Sequence, residues 1–188
     1  MAEILIIGAG AAGCVAAGYA AQNGRKVLLL ERNKRPARKI LVTGKGRCNL
    51  TNNCEPEEFY RHVRRNPRFL YSAVSRFAPK HTMELFEKLG VLLKTERGRR
   101  VFPASDKAMD IADALQIFIK HPNVTLMEGR AKSLVFEGDV LKGVLTEEGK
   151  YYRAQKVLIA TGGMSYPATG SSGDGYTLAR QAGHTVIE

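Results

Sequence analysis

The chain has 188 residues, of which 44% are hydrophobic and 25% charged, a balance that is ordinary for a soluble globular protein with one sizeable core, or one domain and part of a second. Three cysteines without C-x-x-C spacing indicate neither a disulfide framework nor a zinc site. The formal net charge of +11 suits dinucleotide phosphates or nucleic acid, and equally a solvated basic face offset by an acidic partner.

The chain opens with a predicted strand, a glycine-rich turn and a helix. Three glycines stand as G-x-G-x-x-G between the run 3–7, which is apolar after Glu3, and an alanine-rich segment. In this motif Gly8 permits a tight turn, Gly10 lets the backbone approach a pyrophosphate, and Gly13 allows close packing of helix on sheet. The phosphates of a dinucleotide would then lie at the helix N-terminus, beside Ala11 and Ala12.

A second apolar run, 27–30, ends at Glu31, with 17 residues between Gly13 and this acid. That spacing is typical of a carboxylate that accepts hydrogen bonds from ribose hydroxyls. The alternative is a Gly/Ala-rich packing helix without a ligand. The combination of strand, glycine turn, helix and acid favours a dinucleotide site.

The segment from Ile4 to Ala21 contains no charged residue and has the length of a membrane span. The first residues lack the basic region of a signal peptide, and the glycines fall where a phosphate turn needs them. We therefore expect a cytoplasmic protein without a membrane partner.

A long loop, 32–53, follows Glu31 and is rich in glycine, lysine and arginine. So long a connection within an α/β unit is usually functional. Charge from Arg38, Lys39 and Arg47, with the free backbone amides of Gly44 and Gly46, suits a loop folded over a cofactor's phosphates or ring. The alternative is a flexible basic surface loop.

Apolar spacing predicts three helices that read as an insertion into the nucleotide fold. A further helix is expected to begin at Ser105 as its N-cap and to run to Lys120. Short strands are expected on either side of it. The predicted ranges are helices 57–63, 68–77, 80–89 and 105–120, and strands 91–95, 101–103 and 124–127.

From residue 131 to 153 the apolar period changes to two, which predicts a three-stranded antiparallel meander. It leads into a buried parallel strand, 156–160, that ends in Thr161-Gly162-Gly163 at the edge where open α/β folds bind ligands. A Gly/Ser/Thr-rich loop, 164–176, follows as a second anion-cradling element or as an ordinary tight loop. A helix over 177–182 and a strand over 184–187 complete the chain.

These stretches together resemble a known group of proteins. The glycine turn with Glu31, TGKGRCNLTN at 43–52, GRRVFPAS at 98–105, ATGG at 160–163 and SYPATGSSGDGYTLARQAGH at 165–184 are similar to the bacterial FAD-dependent proteins grouped with aminoacetone oxidase, within the two-dinucleotide-binding-domain flavoproteins. One departure is Ala37, where glycine is expected.

The resemblance implies a Rossmann-like α/β domain with a parallel FAD/NAD(P)-binding sheet, a helical insertion at about 55–90 and the meander at about 131–153. It implies FAD as cofactor, no metal, and an amine or NAD(P)H as electron donor to oxygen or another acceptor. It indicates no catalytic base. The implied cofactor-binding residues are Gly8, Gly10, Ala11, Ala12, Gly13, Glu31, Arg32, Lys39, Thr43, Gly44, Gly46, Arg47, Cys48, Asn49, Ala131, Thr161, Gly162, Gly163 and Asp174.

Members of the group are much longer, so the resemblance implies that residues 1–188 are an incomplete FAD-binding domain and that a C-terminal region of the same enzyme and a small-molecule substrate complete the site. Two alternatives stay open. The first is an NAD-binding Rossmann domain, since both ligands use the same fingerprint. The second is a basic nucleic-acid or anion-binding module. We expect no nucleic-acid partner, because the basic runs lack interleaved aromatic residues and a familiar motif.

Overall fold

A computed structural model describes residues 2–187. These residues form two compact units. One combines the chain up to Lys39 with the chain from Leu115 onward, and the other comprises Ile40–Ala114. The second unit contains the predicted helical insertion and extends beyond it on both sides.

The first unit is built on a six-stranded sheet in the order β6-β2-β1-β9-β8-β7. Strands β6, β2, β1 and β9 are parallel, and β9 continues into antiparallel pairing with β8, which pairs with β7. This sheet confirms the predicted Rossmann-like α/β fold with its antiparallel meander. The strands are β1 Ala2–Ile7, β2 Val27–Glu31, β3 Thr51–Asn52, β4 Leu93–Glu96, β5 Arg100–Pro103, β6 Val124–Glu128, β7 Ala131–Glu137, β8 Val140–Thr146 and β9 Tyr151–Ile159.

Helix α1 packs closely because its buried positions carry small side chains. Cys14, Ala17 and Ala21 are at most 1% exposed. A Cβ added to Gly18 would lie 2.2 Å from the ring of Phe118, so this glycine makes room for the ring. The helices are α1 Ala11–Gln22, α2 Pro56–Arg61, α3 Tyr71–Arg76, α4 Pro79–Lys88, α5 Ala108–Phe118 and α6 Asp174–Gln181.

A core of aliphatic side chains lies between the sheet, the meander and α6. Leu5, Leu30, Val144 and Leu178 are at most 1% exposed in this cluster. Burial of each such side chain stabilises the fold by about 1.5–3 kcal/mol. The core therefore keeps the carboxyl ends of β1, β2 and β9 at one edge of the sheet.

The second unit is described by itself. Its antiparallel sheet has the order β3-β5-β4, and Val101 and Phe102 of β5 are buried. Helix α4 buries Leu85 and Phe86. Short 3-10 turns connect these elements at Arg38–Gly46, Pro67–Leu70 and Arg97–Arg99.

The structure differs from the sequence predictions in several details, and the predicted helix 68–77 is a 3-10 turn, Pro67–Leu70, followed by α3. The third meander strand and the parallel strand are one strand, β9, which pairs with β8 in its first half and with β1 in its second. Residues 184–187 form no strand. Helix α5 begins at Ala108 rather than beside Ser105, because Asp106 has φ of 60°, which a right-handed helix does not accommodate. Leu158, expected to be buried, is 41% exposed.

The charge-free segment from Ile4 to Ala21 divides between β1 and the 12-residue helix α1. Over residues 2–187, none of the helices combines the length and apolar character that crossing a membrane requires.

Candidate functional site: a dinucleotide-binding turn

The turn after β1 contains three glycines with three different surroundings. Gly8 has φ of 100°, and a Cβ on it would lie 2.6 Å from the carbonyl oxygen of Ala160. A Cβ on Gly13 would lie 1.8 Å from the carbonyl oxygen of Gly8. A Cβ on Gly10 would meet nothing within 4 Å. Gly8 and Gly13 are thus needed for packing, whereas Gly10 borders open space that a ligand can enter.

The N-terminus of α1 faces that space without a side-chain cap among residues 2–187. Gly10 is the N-cap residue and supplies no side-chain cap, and the first turn carries no acidic residue. The amides of Ala11 and Ala12 follow at exposed positions. First-turn N–H groups that lack an intrahelical acceptor, together with the positive end of the helix dipole, make this position a site for an anion.

The Glu31 carboxylate, only 7% exposed, links the turn to the end of β2. Its Oε2 accepts a hydrogen bond from the Ala9 amide at 2.7 Å. Its Oε1 accepts bonds from the backbone and side-chain amides of Asn33 at 2.8 and 2.7 Å. A carboxylate offers about four acceptor positions, so one remains for a hydroxyl group. The contact with Asn33 was not predicted, and nothing in the sequence pattern indicated it.

Lys39 lies near the turn that follows β9. Its Nζ is 3.3 Å from Ser165 Oγ and 3.8 Å from the position of a Cβ on Gly162. Gly163 follows in the same turn, and a Cβ on Gly175 would lie 2.4 Å from Thr161 Oγ1. The structure thus brings Lys39 and the Thr-Gly-Gly turn together at the sheet edge that also carries the first glycine turn.

Asp174 and Arg32, both predicted cofactor residues, bind each other. Arg32 Nη1 lies 3.2 Å from Asp174 Oδ2 and also donates to Ser172 Oγ and the Gly170 carbonyl. Arg130 donates two bonds of 2.9 Å to the same carboxylate. The hydrogen bond from Arg130 is the main cause that holds the pKa of Asp174 below its usual value, and a hydrogen bond from Ser172 Oγ and the charges of Arg130 and Arg32 act in the same direction. The ion-pair cluster therefore fastens the loop before α6, and Arg130 is a member that sequence reasoning missed.

Ala131, also a predicted cofactor residue, begins β7 and belongs to the buried core with Leu30 and Val144. Its methyl group packs in the protein interior. A role at the cofactor would have to come from its backbone.

Ala37 occupies the position at which the resembled group favours glycine. It has φ of 60° and is 2% exposed, and its amide donates to the Ala9 carbonyl at 2.8 Å. The left-handed conformation explains a preference for glycine at this position.

The remaining predicted residues lie in the second unit, in a loop with several left-handed positions. Gly44, Gly46 and Cys48 all have φ between 55° and 85°. The Thr43 hydroxyl donates to the Ile40 carbonyl at 2.6 Å, and a Cβ on Gly44 would lie 2.9 Å from the Asn49 amide nitrogen. Burial raises the pKa of the Cys48 thiol, so this group is no ready nucleophile.

Arg47 does not present a free charge as expected. Its guanidinium donates to Asp106 at 2.8 Å and pairs with Glu96, and its Cζ stacks 4.2 Å above the Phe102 ring. These acceptors, Glu96 first, raise the pKa of Arg47. Within the second unit its visible role is to join the loop to β4 and β5.

The second unit also contains a cavity of about 330 Å³ with Phe59, His62 and Arg99 in its lining. Cys54 lies in the same lining, and burial raises the pKa of its thiol. The Arg99 guanidinium at this cavity is paired with Glu58.

Curated relatives match nearly the whole chain, among them the following two. The 3-dehydro-bile acid delta(4,6)-reductase of Clostridium scindens is 36% identical over 99% of the chain and 45% of its own length. The ribosomal RNA dihydrouridine synthase of Escherichia coli is 38% identical over 98% of the chain and 45% of its own length. The chain thus spans about 45% of these relatives.

Solved structures support the fold. A Mycobacterium smegmatis Sdh1 complex in the apo form superposes with a TM-score of 0.71 at 21% identity, over 96% of this chain and 38% of that one. The family described as HI0933-like protein Rossmann domain matches residues 2–188. With its glycine turn, its acid at the end of β2 and this match over almost every residue, the chain belongs to the HI0933-like Rossmann domain family.

Proposed function

We propose that this chain is the FAD-binding portion of a flavin-dependent oxidoreductase. The observation that carries the proposal is the open space beside Gly10, next to an uncapped helix N-terminus. A pyrophosphate is a dianionic group of the size and charge that such a turn binds. Glu31 supports the proposal, since one acceptor position of its carboxylate is free for a ribose hydroxyl.

The residues of the first unit fit the adenosine diphosphate half of the cofactor. Backbone amides from Gly10 to Gly13 would hold the phosphates, and Glu31 the ribose. Lys39 and the turn 161–163 would add charge and amide donors at the same sheet edge. For the loop 43–49 we retain the proposal of a role beside the flavin. When bound, FAD supplies hydride and electron transfer, and the protein supplies binding and orientation.

The proposal also concerns the electron donor and the electron acceptor. An amine or NAD(P)H as donor, and oxygen or another acceptor, are what the family resemblance implies. The Clostridium scindens relative is named as a reductase, which favours transfer of hydride from NAD(P)H toward an organic substrate. Because the relatives are about twice as long as this chain, this activity is proposed for proteins of that length.

RNA is a second candidate substrate class. The Escherichia coli relative is named for the synthesis of dihydrouridine in ribosomal RNA. In this chain a stretch from Phe59 to Met83 contains no Asp or Glu but five arginines. Such a stretch suits a polyanion better than it suits a small uncharged substrate.

The test of cofactor binding is an absorption spectrum of the purified chain, followed by equilibrium dialysis against FAD and against NAD. We expect a flavin spectrum, or FAD uptake of one molecule per chain, and weaker binding of NAD. A chain that binds NAD more tightly than FAD would favour the NAD-binding alternative. A chain that binds neither ligand would contradict both the FAD-binding proposal and the NAD-binding alternative.

A further inference from the structure

One surface segment of the second unit concentrates positive charge. We define it as the arginine segment, residues 59–76, which comprises the end of α2, a 3-10 turn at Pro67–Leu70 and helix α3. No Asp or Glu occurs within it. Its arginines, all exposed, are Arg61, Arg64, Arg65, Arg68 and Arg76.

These arginines have no carboxylate partner among residues 2–187, unlike three other cations of the same unit. By contrast, Arg47 pairs with Glu96 and Asp106, Lys94 with Asp106, and Arg99 with Glu58. The paired cations hold parts of the unit together. The unpaired guanidinium groups of the arginine segment contribute no such contact, so their donors are free to bind an external anion.

Aromatic side chains lie within the same segment. Phe69 is 78% exposed and Tyr71 is 48% exposed. Tyr71 stands on the ring of Tyr60 with a centroid distance of 4.5 Å, and Tyr60 contacts Phe59 at 6.1 Å. Because most of the Phe69 side chain is exposed, its burial within the described residues contributes little to the stability of the fold. A planar ligand that stacks on Phe69 and Tyr71 would remove this apolar surface from water.

We propose that the arginine segment binds single-stranded RNA. Guanidinium groups would bind backbone phosphates, and Phe69 and Tyr71 would stack with successive bases, which is how sequence-tolerant proteins hold single strands. The expectation that nucleic acid is no partner rested on an absence of aromatic residues among basic ones. Arg68-Phe69 and Tyr71 show that this premise does not hold here. The proposal rests on RNA as the second candidate substrate class.

Other polyanions fit the segment less well. Helices α2 and α3 have six residues each, and Asn66 between them has φ of 48°, so no continuous helix exists to enter a duplex major groove or to lie in a membrane interface. The cations are arginines rather than lysines. Arginine forms forked bonds with phosphate and stacks on bases, whereas a lipid surface attracts either cation equally.

The experiment measures fluorescence anisotropy of labelled single-stranded RNA of about 16 nucleotides with the purified full chain. The test variant carries Arg64→Gln, Arg65→Gln and Arg68→Gln. The matched control carries Lys132→Gln, Arg153→Gln and Lys156→Gln, which removes the same charge from exposed positions of the first unit. We expect the test variant to bind the RNA about tenfold or more weakly than the wild type. The slope of log affinity against log salt concentration should become shallower by about 2. In the control variant both quantities should change much less.

Phe69 distinguishes stacking from insertion into a membrane. We expect Phe69→Leu, which keeps an apolar side chain but removes the ring, to weaken RNA binding about fivefold or more. The same variant is mixed with vesicles of anionic lipid. Wild-type binding to the vesicles that exceeds RNA binding, and that Phe69→Leu leaves unchanged, would overturn the proposal in favour of a lipid surface.

Single-stranded DNA of the same length and duplex RNA are the remaining probes. RNA binding at least as tight as that of either probe supports the proposal, and tighter binding of either one contradicts it. Equal losses in the test and control variants would also contradict it, because binding would then follow net charge alone. FAD uptake is measured in every variant, so that loss of RNA binding with normal FAD uptake leaves the proposed cofactor function intact.

Discussion

Gly10 and Gly13 are three positions apart in the same turn, yet a methyl group has opposite consequences at the two. At Gly10 it would point into open space, and at Gly13 it would lie 1.8 Å from the Gly8 carbonyl oxygen. The sequence motif assigns Gly10 to the approach of a pyrophosphate and Gly13 to close packing of the helix. The difference arises because the Gly8 carbonyl group lies against Gly13, whereas no atom lies within 4 Å of a Cβ on Gly10.

We therefore predict that Gly10→Ala weakens FAD binding by about tenfold or more, about 1.4 kcal/mol, because its methyl group obstructs the pyrophosphate. The free energy of unfolding without FAD should change by less than about 1 kcal/mol. Gly13→Ala should instead lower that free energy by about 3 kcal/mol. FAD titration and urea unfolding of both variants test the pair. Similar unfolding losses in the two would refute the assignment.

The three cysteines differ in their access to solvent. Burial, with the nearby Glu31 charge, raises the pKa of Cys14 to about 12, and Cys48 is 5% exposed. Cys54 is only half-buried. We predict that the folded protein reacts with a thiol reagent chiefly at Cys54, and that the other two react after unfolding. Cys54→Ser should remove the fast reaction, and a fast reaction that persists would contradict this.

At the scale of elements, α1 approaches Phe118 because Gly18 has no side chain. Phe118 is buried, and its ring meets Tyr19 edge-on with a centroid distance of 5.4 Å. A Cβ at Gly18 would overlap the ring. We predict that Gly18→Ala lowers the free energy of unfolding by about 1–3 kcal/mol, as measured in urea. Combination with Phe118→Leu should recover part of this loss, and simple additivity would argue against the contact.

The ion-pair cluster around Asp174 joins the end of β2, the β6–β7 connection and α6. Since its pKa is lowered in the folded state, chiefly by Arg130, the carboxylate stabilises the fold above its unfolded pKa of about 3.9. This contribution is lost as the pH falls below that value. We predict that Asp174→Asn costs about 1–2 kcal/mol near neutral pH.

The difference in unfolding free energy between wild type and Asp174→Asn should shrink as the pH falls below about 4. Urea unfolding at several pH values measures it. A difference that stays constant with pH would show that the carboxylate charge is not what stabilises the loop before α6.

At the scale of the whole molecule, a ligand that binds only the folded chain raises its stability by mass action. FAD at about 100 times its Kd should add about 2.7 kcal/mol, which corresponds to an apparent Tm about 5–10 °C higher. NAD at the same concentration should have a smaller effect. Thermal unfolding of the wild type and of Gly10→Ala measures the rise in Tm that FAD causes. An equal rise in the two proteins would mean that FAD binds at another site.

The amino-acid sequence by itself determined the fold class, the glycine turn and the acid at the end of β2. These features are local, since apolar periodicity, glycines at fixed spacing and one carboxylate lie within about thirty residues of each other, as the fingerprint requires. The sequence also indicated the meander, although β9 proved to be one strand because it pairs with different neighbours along its length.

Only the tertiary structure decided which charged residues are free. Arg47, Arg32 and Asp174 were predicted to lie at the cofactor, but each binds an oppositely charged group at least 44 residues away along the chain. The arginine segment has no such partners among the residues described. Ion pairs between distant residues depend on how the chain folds back, so composition and spacing carry no signal for them.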